Sequence, residues 1–183
     1  MQVIDEPLLG VLVIKLNVFD DDRGSFVETY NRAKMNTLGI RAEFGQDNQS
    51  VSAAAETVRG IHFQVEPNAQ GKLVRVVAGS IYDVAVDLRP ASPTYLQHCA
   101  VTLSGTDDLV FWIPEGFGHA FCTLEDDTVV AYKATALYAP ESDRSIRWND
   151  PAIGIEWPID PERATLSDKD ARAPMLAEIE GEL

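Results

Sequence analysis

Histidine and cysteine are scarce in this chain, with three of the first and two of the second among 183 residues. Cys99 and Cys122 lie inside apolar runs and are too few for a disulfide framework, so free buried thiols are expected. His62, His98 and His119 are far apart and form no His-x-His pair, so no metal site is expected. Basic residues are also in deficit: 15 Lys and Arg face 29 Asp and Glu, a formal net charge of −14. Phosphate backbones are repelled by such a chain, which argues against a nucleic-acid partner. A small diphosphate ligand is still allowed, because screening confines the bulk field to about 8–10 Å. No apolar run approaches the roughly 20 residues of a membrane span. The N-terminal segment lacks the basic and apolar regions of a secretion signal, and a cytoplasmic protein is the expectation. Repeats, low-complexity tracts and linkers are absent, and the length suits one domain over 1–183.

What the chain does have is short alternation of apolar and polar residues. The clearest runs are 11–19, 72–77, 80–88, 98–103, 109–113 and 128–135, separated by turn residues. Short strands at this spacing predict an all-β sandwich or barrel. Two stretches read as helix. One is 31–38, with Asn31 as N-cap and Gly39 as stop. The other runs from Ser167 to about Ile179, with a capping-box-like start and Pro174 as an interruption.

The most informative stretch is 58–64, VRGIHFQ. His62 is a proton carrier near neutral pH, and Arg59 is a fork for phosphate or carboxylate. Gly60 between them predicts a bulge or a close backbone approach. A lone histidine in a strand is more often structural, but this one has company. Lys72, Asp83, Asp87, His119, Tyr132 and Lys133 are titratable groups in runs where an apolar residue would be cheaper to bury. His62, Lys72, Tyr132 and a carboxylate suit proton abstraction α to a carbonyl. The imidazole is the base, the ammonium stabilises the enolate, and the phenol returns a proton to the other face. Asp170 by itself reads as a first-turn acid favoured by the helix dipole.

Ordered segments carry a resemblance. They are 19–24 (FDDDRG), 46–48 (QDN), 58–64, 68–75 (NAQGKLVR), 82–89 (YDVAVDLR), 92–94 (SPT), 112–119 (WIPEGFGH), 132–135 (YKAT), Tyr138, 146–151 (IRWNDP) and 154–158 (GIEWP). Together they resemble the dTDP-4-dehydrorhamnose 3,5-epimerase family over nearly the whole chain. The resemblance implies a cupin-type jelly roll (a double-stranded β-helix) with short helices, working as a homodimer on a dTDP-sugar without metal or cofactor. It implies epimerisation of a dTDP-4-keto-6-deoxyglucose at C3 and C5.

By the same resemblance His62 falls on the family's base, Tyr132 on its acid, and Asp170 on the carboxylate paired with the base. Lys72 matches the lysine near the sugar keto oxygen. Arg23, Glu28, Gln46, Asn48, Arg59 and His119 match nucleotide-sugar contacts, and Asp143 and Lys169 fall near two more. Tyr138 joins that set. The stretch 11–19 is expected to cross to a partner chain, and Phe26 to reach the partner's site. Arg23, Arg59 and Lys72 are expected to form a local positive cluster. Two departures stand out: Gly118-His119-Ala120 where Ala-His-Gly is expected, and Gln49 where histidine is frequent. Relatives in antibiotic-sugar pathways invert one carbon only. An epimerase acting at C3 alone or C5 alone, with Ala120 tuning the outcome, and a non-catalytic sugar-nucleotide-binding cupin therefore stay open beside the double epimerase.

Overall fold

Thirteen strands make up most of the regular structure in the computed structural model, which describes residues 1–183. In chain order they are β1 (Gln2–Leu8), β2 (Val11–Lys15), β3 (Val18–Asp21), β4 (Gly24–Val27), β5 (Gln46–Ser52), β6 (Val58–Gln64), β7 (Lys72–Ala78), β8 (Ser80–Asp87), β9 (His98–Ser104), β10 (Leu109–Ile113), β11 (Phe117–Thr123), β12 (Thr128–Ala134) and β13 (Asp143–Ser145). The helices are short: α1 (Arg32–Thr37), α2 (Asp168–Ala171) and α3 (Leu176–Ile179). No helix is long and apolar enough to cross a membrane. Six strands form one antiparallel sheet in the order β1-β2-β10-β7-β12-β5, and five form a second in the order β13-β6-β11-β8-β9. The two sheets close face to face as a cupin-type jelly roll, and β3–β4 is a separate hairpin.

Three apolar layers hold this together. Between the sheets, Val11, Val13, Val74, Val76, Phe111 and Val130 meet Ile81, Ala85, Leu103, Phe117 and Phe121. Outside the five-stranded sheet, Ile61, Val84, Val86 and Ala120 pack under Ile153, Leu176 and Ile179 of the C-terminal segment. Outside the six-stranded sheet, Ile14, Leu73, Val110 and Trp112 are covered by Met35 of α1 and by Ile40. Both sheets are therefore apolar on both faces over part of their width. Strands in such a setting lose period-two alternation, which is why β11, buried at every position, is not legible as a strand. β5 is hidden for the opposite reason. Its residues, QDNQSVS, are nearly all polar.

Local signals explain the element ends. Asn31 caps α1 by accepting from the Lys34 N–H, and Gly39 follows at φ +92°, so this helix agrees with its sequence expectation. The C-terminal helix is two separate turns, α2 and α3, flanking Pro174. The expectation that 11–19 crosses to a partner chain is corrected for its first part, 11–15, while β3 pairs with β4 alone. That stretch divides into β2 and β3, and β2 is an interior strand paired to β1 on one side and β10 on the other. With both ladders occupied it has no free groups to offer a partner chain.

At the end of β8, Asp87 is fully buried. It accepts a fork from Arg89 at 2.8 and 2.7 Å and bonds from Ser92 and Thr94 at 2.5 and 2.6 Å. Burial alone would raise its carboxyl, but these donors hold it well below the usual carboxylate range. Arg89 in turn lies 4.4 Å over the Phe117 ring. Replacing Asp87 with alanine takes the shared acceptor from three half-buried donors, Arg89, Ser92 and Thr94. The expected loss is about 3 kcal/mol, or roughly 6–12 °C in Tm for a chain this long. An unchanged melting curve would remove this network from the account of the fold.

Candidate active site

The site begins with a change of parity in β6. In the β6–β11 ladder His62 pairs with His119 and Arg59 pairs with Phe121, so three steps on β6 match two on β11. The extra residue is a bulge at Gly60, whose φ is +117°. A Cβ there would lie 2.5 Å from the His119 carbonyl oxygen and 2.7 Å from Ala120. Only glycine permits this approach. The consequence is geometric. Arg59 and His62 are an odd number of residues apart, yet both face the space between the sheets, while Ile61 packs into the outer layer.

His62 Nε2 lies 2.5 Å from Asp170 Oδ1. The second oxygen of Asp170 accepts from Ser167 Oγ at 2.7 Å. Ser167 also caps α2 by accepting from the Asp170 N–H. Burial pushes the Asp170 carboxyl up, but hydrogen bonds from His62, Ser167 and the Gly60 N–H more than offset it and leave it lowered. With Nε2–H donated to Asp170, a neutral His62 carries its lone pair on Nδ1. Both the first-turn reading and the pairing reading of Asp170 therefore describe one residue.

Lys72, 8% exposed, donates to the His62 carbonyl oxygen at 3.2 Å. Burial brings its ammonium down to about 8, with Asp83 and Asp143 acting against that and Lys169 adding to it. Tyr132 projects from β12 in the facing sheet, so it and His62 approach the interior from opposite walls. Its ring meets that of His119 edge-on, with centroids 6.5 Å apart. Burial pushes the Tyr132 phenol up, opposed by Arg59. His119 is buried and donates Nε2–H to Asp83 Oδ1 at 2.6 Å. Burial lowers its ring below the ordinary histidine value despite that carboxylate.

A polar rim surrounds this group. On β5, Gln46 donates to Asn48 at 2.8 Å and accepts from the Tyr138 N–H at 2.9 Å. Arg59 reaches Ser52 Oγ and the Val51 carbonyl, both at 3.3 Å. Asp143 bonds Lys169 at 2.5 Å and the Tyr138 hydroxyl at 3.4 Å.

Three expected contacts stand apart. Arg23 and Phe26 lie on the β3–β4 hairpin, where Arg23 is forked onto Asp21 of the same turn and Phe26 is 68% exposed. Glu28 follows the hairpin and is bound to Lys34 and Asn31. The cluster of Arg23, Arg59 and Lys72 is thus not assembled within one chain. Lys133, beside Tyr132, points to the outer face and pairs with Asp47 at 2.8 Å. Ala120 also faces outward, into the apolar layer with Ile61, and so does not touch the group around Tyr132. Sequence reasoning left Asp83 without a role. The signal was present as a carboxylate within the otherwise apolar centre of β8.

The two free cysteines are held far from reactivity, since burial pushes both thiols up to about 12.

Comparison with known proteins puts this geometry in context. The family model described as dTDP-4-dehydrorhamnose 3,5-epimerase matches residues 5–178. The dTDP-4-dehydrorhamnose 3,5-epimerase of Salmonella typhimurium is 49% identical over 177 residues, 96% of each chain. A crystal structure of dTDP-4-dehydrorhamnose 3,5-epimerase from Bacillus anthracis, with TDP and PPi bound, has a TM-score of 0.93 at 43% identity. That match covers 96% of this chain and 99% of the other. The Legionella pneumophila dTDP-6-deoxy-D-glucose-3,5-epimerase, in complex with dTDP-4-keto-L-rhamnose, gives 0.93 at 42% identity, covering 99% of this chain and 95% of its own.

Gly60 provides a test of the site's construction. Gly60→Ala is expected to cost about 2–4 kcal/mol from the clash and the strained φ together. It should also separate the His62 and Asp170 rings and carboxyl by moving β6. Calorimetry and a crystal structure of the variant measure both. Wild-type stability with the 2.5 Å contact intact contradicts the bulge as its cause.

Proposed function

The chain belongs to the dTDP-4-dehydrorhamnose 3,5-epimerase family, and from that premise we propose that it converts dTDP-4-dehydro-6-deoxy-D-glucose to dTDP-4-dehydro-L-rhamnose by inverting C3 and C5. The observation that carries this reading is the His62–Asp170 pair facing Tyr132 across the interior, with the Lys72 ammonium beside it.

Each inverted carbon lies α to the C4 ketone. His62 Nδ1 takes the proton from that carbon, the C–H electrons move to the C4 oxygen, and an enolate forms. Asp170 holds the ring in the required tautomer and stabilises the imidazolium. Lys72 lies where it can offset the charge on the C4 oxygen, and in a dry cavity such a preorganised charge is worth far more than in water. Tyr132 delivers its proton to the opposite face, which inverts the centre. The imidazolium then loses a proton to solvent and the tyrosinate gains one, so both groups return to their starting states for the second carbon. Holding the acid and base on opposite walls replaces two encounters with fixed geometry.

Binding follows the rim. Arg59 and Lys169 take the diphosphate, while Gln46, Asn48, Tyr138, Asp143 and His119 hold the nucleotide sugar. Arg23, Phe26 and Glu28 act in the site of a second copy, and the working form is a homodimer. Support for this comes from Phe19 and Phe26 on the hairpin and Val51 on the edge strand β5, large apolar side chains left exposed by a single chain, at edges that a partner would cover.

The reaction is tested by incubation with the keto sugar in deuterated water. Deuterium is expected at both C3 and C5, because the returned proton comes from an exchangeable phenol. Label at one carbon identifies a single-carbon epimerase, and label at neither refutes the assignment. His62→Asn should retain binding and lose about 10²–10⁴-fold in turnover. Tyr132→Phe should still wash in label while forming little inverted product. The dimer is tested separately by sedimentation, where a monomer at assay concentration overturns it. In that case Phe26→Ala should leave KM unmoved.

A further inference from the structure

Asp83 has the features of a functional group that the reaction above does not use. It sits on β8 between Ile81 and Ala85, at the inward positions that otherwise build the apolar layer between the sheets. Its exposure is 0%. One carboxylate oxygen meets His119 Nε2 at 2.6 Å. The other, Oδ2, is buried without any hydrogen-bond partner. A buried charge with an orphan oxygen costs several kcal/mol that an apolar residue would avoid. Packing therefore does not account for it.

We propose that Asp83 is a positioning residue of this site: Oδ1 fixes the ring of His119, and the carboxylate supplies the counter-charge for the buried Lys72 ammonium. The inference rests on the epimerase reading for its consequence in catalysis, but not for the electrostatic pairing itself.

The surrounding charges support the assignment. Lys72 bonds the His62 carbonyl, His62 is paired across the ladder with His119, and His119 is bonded to Asp83; the charged groups acting on Lys72 are Asp83 of β8, Asp143 of β13 and Lys169 of α2, with Tyr132 on its own sheet. Asp83 is the foremost influence holding its proton on, ahead of Asp143, and Lys169 acts in the opposite sense. Asp143 is already bonded to Lys169, so much of its charge is committed. His119 is kept below its ordinary value by burial. As a neutral ring it donates Nε2–H to Oδ1 and leaves the full negative charge of Asp83 for Lys72. The same bond places the His119 ring edge against Tyr132, so one carboxylate orders the surroundings of both the electrophile and the acid. The sign is clear. Enolate stabilisation needs the charged form of Lys72, present below its midpoint and lost above it, and removing Asp83 moves that midpoint down.

The test is Asp83→Asn, which keeps the shape and an acceptor for His119 but removes the charge. Lys72 is followed by NMR in protein labelled with [ε-¹³C]lysine, its resonance assigned by its absence in Lys72→Met. Its midpoint is expected near about 8 in the wild type and about one pH unit lower in Asp83→Asn, the order of effect of one nearby charge at a moderate effective dielectric. The alkaline limb of kcat should move down with it, and KM should change little. A midpoint and limb that both stay where the wild type has them overturn the proposal. The NMR titration needs no substrate. A shifted midpoint in a protein that leaves the keto sugar untouched sinks the assigned reaction and retains this pairing. Should Asp83→Asn not fold, the double variant Asp83→Asn/Lys72→Met is expected to fold, because both charges leave together. A double variant no more stable than the single one also overturns the proposal.

Discussion

The hydrogen bond between His62 and Asp170 joins side chains 108 positions apart, and much of the architecture serves to hold it closed. At one end the bulge at Gly60 turns His62 inward. At the other, Ser167 both starts α2 and binds the second oxygen of Asp170. The C-terminal segment reaches that place because Ile153, Leu176 and Ile179 bury against the outer face of the five-stranded sheet. Backbone bonds from Val58 to Thr165 and from Arg147 to Pro174 fix its path. Apolar packing outside the sheet is thus a precondition for the pairing of His62 with Asp170 inside it. Burial of the Asp170 carboxylate strengthens the bond for the same reason that leaving it unmade would be costly.

Charge in the interior is more balanced than the composition. The chain is strongly acidic, yet the interior sets Lys72 and Arg59 beside Asp83 and Asp170, each carboxylate bonded to a histidine. Screening separates these scales, since surface carboxylates beyond about 8–10 Å act weakly on the cavity. What governs Lys72 is its own desolvation and a few carboxylates nearby. The family's reaction creates and discharges an enolate twice, so a site that changes its own charge little between steps suits it.

Much of this was legible from residue order. Strand β10 matches its expected bounds, 109–113, and β7, β8, β9 and β12 differ by one residue at an end. These strands face an apolar layer with regular spacing, which is the pattern that sequence periodicity detects. β11 and β5 escaped because one is buried throughout and the other is nearly all polar. The glycine in VRGIHFQ was read as a bulge or close approach, and it is both. The split of 11–19 was not readable, because nothing local distinguishes an interior strand that ends at Lys15 from one that continues to the hairpin. Among candidate site residues, His62, Lys72, Tyr132, His119 and Asp170 converge in one chain. Arg23, Phe26 and Glu28 do not.

Residue order alone determined the chemical inventory and the turn punctuation: a base, an ammonium, a phenol, and a capped first turn bearing a carboxylate. Tertiary structure alone decided which of these meet. Hydrogen bonds and Coulomb forces act over a few ångströms, and in a face-to-face antiparallel sandwich the spatial distance between two side chains depends on strand order and register, which separation along the chain does not encode. That is why Asp83 could be seen as an oddity in β8 but not as the neighbour of His119, and why an acid of a first helical turn became the partner of His62.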